Sequence, residues 1–161
     1  MKAVLPVVLV LAALAPAAVA AAAPADDRHL WASVNACDTD ARPDMIGIRA
    51  SMPGSGRRET LLMRFRVQYL DPADGRWRFV ASGADSGLRR IGVTRTRRLE
   101  SGHDFRFKPR GAAHFLRGHV TFVWRRGGRI SRQVSEVTEA GHRSSRGADP
   151  PDYSAATCRI S

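Results

Sequence analysis

Cys37 and Cys158 are the residues of this chain whose chemistry is easiest to state, because they are its only cysteines. In an oxidising compartment two such thiols pair, which withdraws both sulfurs from nucleophilic work and closes nearly everything downstream of residue 36 into one loop. In the chain-entropy account a bridge of that span removes about 4 to 5 kcal/mol of unfolded-state freedom. The basic residues come next. Lysine and arginine number 26 against 15 acids, the net charge is +11, and every basic residue except Lys2 and Lys108 is arginine. Guanidinium forks suit phosphates, sulfates and carboxylates. Arg64, Arg66, Arg76 and Arg78 alternate with apolar residues in two neighbouring segments, while Arg125, Arg126 and Arg129 crowd a Gly-Gly turn. Together they form the candidate anion-binding set. A GC-rich coding sequence gives the same bias towards arginine, alanine and glycine without any ligand, and charged strand faces also discourage edge-to-edge pairing.

Other chemistry finds no pattern. Asp38, Asp40 and Asp44 have the acidic character of calcium ligands, but Arg42 and Pro43 stand where that loop needs a ligand and a glycine, so they are expected to shape a turn. Asp71, Asp74 and Asp85 sit among Pro and Gly and are assigned the same work. His29, His103, His114, His119 and His142 lack zinc-ligand spacing and are expected at the surface or in loops. No GxSxG elbow occurs, the cysteines are consumed by their bridge, and the acids cluster in turns rather than as a catalytic pair. The expectation is a non-enzyme without cofactor or metal.

The elements that hold these residues begin after an export signal. Lys2, the apolar run Ala3 to Leu14 and the small residues Ala18-Val19-Ala20 read as a secretory signal peptide over 1–20, cut after Ala20. Pro6 and Pro16 interrupt the run, which is too short to span a bilayer, and no second apolar segment follows. Residues 21–28 are read as a flexible lead-in and 29–161 as one domain. The expected locale is the cell envelope or the medium.

Within 29–161 period-two alternation dominates. Leu61, Met63, Phe65, Val67 and Tyr69 share one face, with Arg64, Arg66 and Gln68 on the other. Asp71 to Gly75 form a turn, and a hairpin with Leu70 opposite Arg76 sets Tyr69 against Trp77 and Val67 against Phe79, leaving the arginines outside. A second hairpin has Gly118, Val120, Phe122 and Trp124 inward and Arg117, His119, Thr121 and Arg125 outward. A three-residue loop Arg126-Gly127-Gly128 places Trp124 opposite Ile130, and a bulge accounts for the later change of phase. Weaker strands fall at 30–37, 46–52, 88–94 and 104–108, for seven or eight with the hairpins, and a short terminal strand follows at 155–160. No aromatic residue interleaves the exposed arginines in this register, which speaks against base stacking and against a specific nucleic-acid partner.

Many short strands spaced by Gly and Pro turns, without crossover helices, indicate an all-β chain folded as a single antiparallel β-sandwich. Over residues 29–161 this pattern resembles an immunoglobulin-like or fibronectin-type-III-like domain, as found in small exported bacterial proteins. No tryptophan lies between Cys37 and Trp77, and Tyr153 does not stand two residues before Cys158, so the antibody-type spacing is absent. The resemblance implies a fold and carries over no site. The function expected is a secreted binding module for a protein, glycan or polyanion, with an anionic polymer or an envelope protein as partner. A structural or assembly role in the envelope is the first alternative, and an enzyme of unrecognised type the second.

Overall fold

The computed structural model describes residues 30–108, 113–143 and 146–161. The expected signal peptide with its cut after Ala20, the segment 21–28 and His29 lie outside the described residues. Among the described residues there are strands and no helices: β1 (Trp31–Thr39), β2 (Arg42–Met52), β3 (Glu59–Leu70), β4 (Trp77–Phe79), β5 (Asp85–Thr94), β6 (Leu99–Arg106), β7 (His114–Arg126), β8 (Arg129–Val137) and β9 (Cys158–Ile160). The nine correspond to the seven or eight strands expected together with the short terminal strand, which is β9; β4 and β9 are three residues each.

The strands form two antiparallel sheets. The smaller has the order β1-β2-β6. In the larger, β3 and β7 lie side by side at the centre, β4 and β5 share the free edge of β3, and β8 and β9 share that of β7. Alternation decides what is buried. Leu61, Met63, Phe65 and Val67 of β3 and Val120, Phe122 and Trp124 of β7 join Val34, Ile46 and Ile48 of the smaller sheet in one apolar cluster. Gly118 of β7 packs closely against the smaller sheet, since a Cβ there would stand 2.8 Å from the Ile48 side chain and 2.6 Å from that of Thr138.

Cys37 and Cys158 are bonded, with Cα atoms 5.3 Å apart across a sequence separation of 121. The bond ties β1 of the smaller sheet to β9 of the larger. The chain after β8 reinforces that link by running along β1: Glu139 N–H donates to the Ala32 carbonyl at 2.9 Å, Asp149 N–H to that of Asn35 at 2.8 Å, and Val34 and Ala155 exchange backbone bonds. The outer edge of β1 is thereby occupied rather than left open to another chain.

Both hairpin registers differ from the sequence expectation. In the first, Leu70 pairs with Trp77, Tyr69 with Arg78 and Gln68 with Phe79. The turn absorbs one residue more, because Asp74 Oδ1 accepts the Arg76 N–H at 3.0 Å, Asp71 N–H donates to the Arg76 carbonyl at 2.8 Å, and Gly75 takes a positive φ of 69°. A shift of one residue turns every side chain over. Trp77 and Phe79 therefore face away from the core, and Phe79 is 42% exposed. In the second hairpin the loop is the two-residue Gly127-Gly128, both with positive φ, and Arg126 pairs with Arg129. The bulge falls at Ser131, so that Trp124 opposes Arg132 rather than Ile130, and Phe122 opposes Val134. Ser131 uses its displaced position to donate to Glu59 Oε1 at 2.7 Å and to the Trp124 carbonyl at 3.1 Å.

The two tryptophans separate these registers. Trp124 is fully buried and donates its indole N–H to the Pro53 carbonyl at 2.9 Å, so Trp124→Ala is expected to cost about 3 to 5 kcal/mol in chemical unfolding. Trp77→Ala is expected to cost roughly 1 kcal/mol, and a loss equal to that of Trp124→Ala would return Trp77 to the core. Cys37→Ser is expected to lower stability by about 2 to 5 kcal/mol, and an unchanged melting temperature would contradict the bond's role in joining the sheets.

Candidate anion-binding face

The slipped register of the first hairpin builds a surface that the sequence alone did not suggest. The outward positions of the larger sheet read across the strands as Asp85, Arg66, His119 and Val137 in one row, and Leu88, Arg64, Thr121 and Ser135 in the next. Two further rows follow, with Arg90 beside Leu62, Val123 and Gln133, then Val93 beside Thr60, Arg125 and Ile130. Beyond Arg66, Gln68 lies beside Arg117 on one side and Phe79 on the other. Five arginines thus stand among these paired positions against a single carboxylate, Asp85. Leu62 and Val123 lie among them and are nonetheless buried, which fits guanidinium stems lying along the sheet.

Two of these arginines rest on aromatic rings. The Arg66 guanidinium carbon is 3.9 Å from the Phe79 ring centroid, and that of Arg117 is 4.4 Å from the Trp77 ring. Cation–π contact of this kind holds a side chain flat while leaving its charge unneutralised. His119 meets Phe79 edge-on with centroids 5.1 Å apart, and Gln68 Oε1 accepts from Arg117 Nε at 2.8 Å. The Nε atoms of Arg66 and Arg125 have no hydrogen-bond partner among the described residues. A cavity of about 210 Å³ opens at the margin of this face between Arg66, Phe79 and Asp85, floored by the loop from Val80 to Ala84.

The expected arginine set divides in two. Arg64, Arg66 and Arg125 lie on this face. Arg64 is neutralised there, since its Nε donates to both oxygens of Asp85 at 2.8 and 3.1 Å and its Nη2 bonds the same carboxylate. Arg76 and Arg78, expected beside them, are elsewhere. Arg78 shares the side of Tyr69 and is clamped by Asp71 at 2.7 Å and Asp74 at 2.6 Å, while Arg76 sits in the turn 3.9 Å from Asp74. Arg126 and Arg129 face each other at the exposed tip of the β7–β8 hairpin. Arg117, Arg90 and the two aromatic rings are the additions. Arg117 was legible, because it belongs to the outward alternation of its strand. Trp77 and Phe79 were not, because Arg76-Trp77-Arg78-Phe79 is amphiphilic in either phase.

The histidines are less superficial than expected. His103 and His119 lie on β6 and β7 and are half-buried, His114 is an exposed residue of β7, and His142 stacks on Trp31 with centroids 4.3 Å apart. Burial, then the charge of Arg66, lowers the His119 pKa, with Arg117 adding to the effect. Burial, then Arg89, lowers that of His103, whose Nδ1 lies 2.8 Å from Arg89 Nη1 and so accepts from it. The aspartates keep the turn role expected of them: Asp38 Oδ1 accepts the Asp44 N–H at 2.8 Å, and Asp71 and Asp85 accept N–H bonds two residues on.

No family model matches the chain, and comparison with curated proteins gives no match. Charges on stacked guanidiniums, half-withdrawn from water and short of carboxylates, favour an anion presented along the sheet.

The pH behaviour of the face follows from its pairs. Hydrogen bonding from Arg64 holds the Asp85 carboxyl at about 2, against burial that pushes it up. A carboxyl lowered on folding contributes stability above its ordinary value near 4, and that contribution is lost as pH falls through 2. Asp85 is 39% exposed, so solvent screening keeps the term small. His119 contributes in a higher window. Its folded pKa is lowered, so the unfolded chain protonates first, and stability drops as pH falls below about 6.5. NMR titration of the His119 ring is expected to give a midpoint below that of a free imidazole. A midpoint at or above it would contradict the packing against Phe79 and Arg66.

Proposed function

We propose that the chain is an exported, non-catalytic binding module, an immunoglobulin-like β-sandwich that holds an anionic partner against the outward face of its larger sheet. The N-terminal sequence supports export, and two antiparallel sheets sharing one core support the sandwich. The observation that carries the binding proposal is the pair of stacks, Arg66 on Phe79 and Arg117 on Trp77, beside Arg125 and with only Asp85 for counter-charge. Compositional basicity alone scatters arginine where it meets acid, as Arg78 does between Asp71 and Asp74. Arginines that rest instead on aromatic rings keep their charge available and their conformational entropy already reduced, so an anion meets a preorganised row.

The partner class is an anionic polymer or an anionic surface at the cell envelope. Recognition is by charge density along a sheet about four strands wide, so affinity should depend steeply on salt. The strand scaffold fixes the spacing of the arginines, and the β4–β5 loop at the margin is free to vary the fit.

Elution from an anionic-polymer column in a salt gradient tests the proposal. The combined variant Arg66→Gln, Arg117→Gln and Arg125→Gln is expected to elute at clearly lower salt than the parent. The equally discharged variant Arg76→Gln, Arg78→Gln and Arg129→Gln should elute close to it. Equal displacement of the two variants would show that net charge, not this face, governs retention.

A further inference from the structure

Among the described residues, the large apolar side chains that remain exposed are Phe79, Leu88, Val93, Phe115, Ile130 and Val137. All occupy outward positions of the larger sheet. Val93 pairs with Thr60, Leu88 with Arg64 and Phe79 with Gln68 on one side. Ile130 pairs with Arg125, Val137 with His119 and Phe115 with Arg159 on the other. Arg64, Arg66, Arg117 and Arg125 belong to the two central strands, with Arg90 on β5 and Arg159 on β9 beside them, and the apolar residues come from β4, β5 and β8 at the margins and from the start of β7. Exposed apolar residues are ordinary when scattered, but confinement to one face that also holds the stacked arginines marks an interaction surface.

From this pattern we infer that the partner is the surface of a membrane containing anionic lipid, a reading that rests on the binding face proposed above and narrows it. Charge decides against one rival, because a second copy docking through the same face would set arginine rows against each other with Asp85 the lone opposing charge. Apolarity decides against another, since a soluble polyanion would satisfy the arginines and leave Leu88, Ile130 and Val137 in water. An anionic bilayer surface meets both demands. Lipid phosphates receive the guanidiniums, and the boundary of the acyl region receives the marginal Phe, Leu, Val and Ile side chains. Arginine is suited to that depth because its stem tolerates apolar surroundings while its head stays at the phosphates. Trp77, with Arg117 over its ring, has the amphipathic character of an interfacial residue. No helix among the described residues is long and apolar enough to span a bilayer.

Vesicle flotation separates the possibilities. The disulfide-bonded protein is mixed with phosphatidylcholine vesicles containing phosphatidylglycerol or with phosphatidylcholine alone, and binding to soluble polyphosphate is measured in parallel. The wild type is expected to float with the anionic vesicles and not with the neutral ones. The variant Leu88→Ser, Ile130→Ser alters two exposed side chains and is expected to weaken vesicle binding by about tenfold or more while leaving polyphosphate binding and the melting temperature unchanged. If the wild type binds polyphosphate but not anionic vesicles, or the serine variant floats as the parent does, the membrane inference is overturned while the anionic face stands. Binding to neither overturns both.

Discussion

The pairing of β3 with β7, running from Thr60–Arg125 to Tyr69–Leu116 without a break in register, is the constraint on which the rest of the molecule depends. Because strand side chains alternate, that single ladder assigns Leu61, Met63, Phe65 and Val67 to the interior together with Trp124, Phe122 and Val120. In the same stroke it assigns Arg64, Arg66, Arg117, His119 and Arg125 to the outside. Core and candidate site are two faces of one pairing. A slip of one residue between these strands would bury guanidiniums and expose the largest apolar side chains, so the burial that stabilises the fold also fixes the geometry of the arginine face.

The peripheral strands adapt to that central pair. β4 and β5 follow one another along the same edge of β3, separated where the chain leaves the ladder between Val80 and Ala84 and returns with Val67 N–H donating to the Ala84 carbonyl. The departure brings Phe79 against Arg66 and leaves the marginal cavity behind it. On the opposite edge the bulge at Ser131 returns β8 to phase, placing Val134 inward and Val137 outward. The disulfide ties β9 of the larger sheet to β1 of the smaller, and the segment after β8 bonds along β1, so residues of both sheets share one apolar cluster behind the outward side.

Much of this was legible in residue order. The period-two run from Leu61 to Tyr69 specified its buried face, the runs around Ile48 and Phe122 did likewise, and the two cysteines had only each other. The places where sequence misled were turns and long-range pairings. Whether five or six residues lie between Leu70 and its partner depends on whether Asp74 captures the Arg76 N–H, a bond worth about 1 kcal/mol that no hydrophobic pattern encodes. Arg76-Trp77-Arg78-Phe79 offers an apolar face in both phases and could not arbitrate. Residue order does not reveal the shorter loop at Gly127-Gly128, because the bulge that compensates for it lies at Ser131, whose hydroxyl bonds the buried Glu59 across the sheet. Arg64, Arg66 and Arg125 were placed correctly by alternation. The aromatic support of the site depends on that turn, and period-two alternation read without it places Phe79 and Trp77 in the core.

The arginine face is tested most directly by side-chain NMR of arginine Nε–H and tryptophan indole N–H groups during titration with polyphosphate. Arg66, Arg117, Arg125 and the Trp77 indole are expected to shift together and saturate at one concentration, while Arg78 and the buried Trp124 indole stay still. Shifts confined to Arg126, Arg129 or Arg78, with Arg66 and Arg117 unmoved, would contradict a binding role for this face.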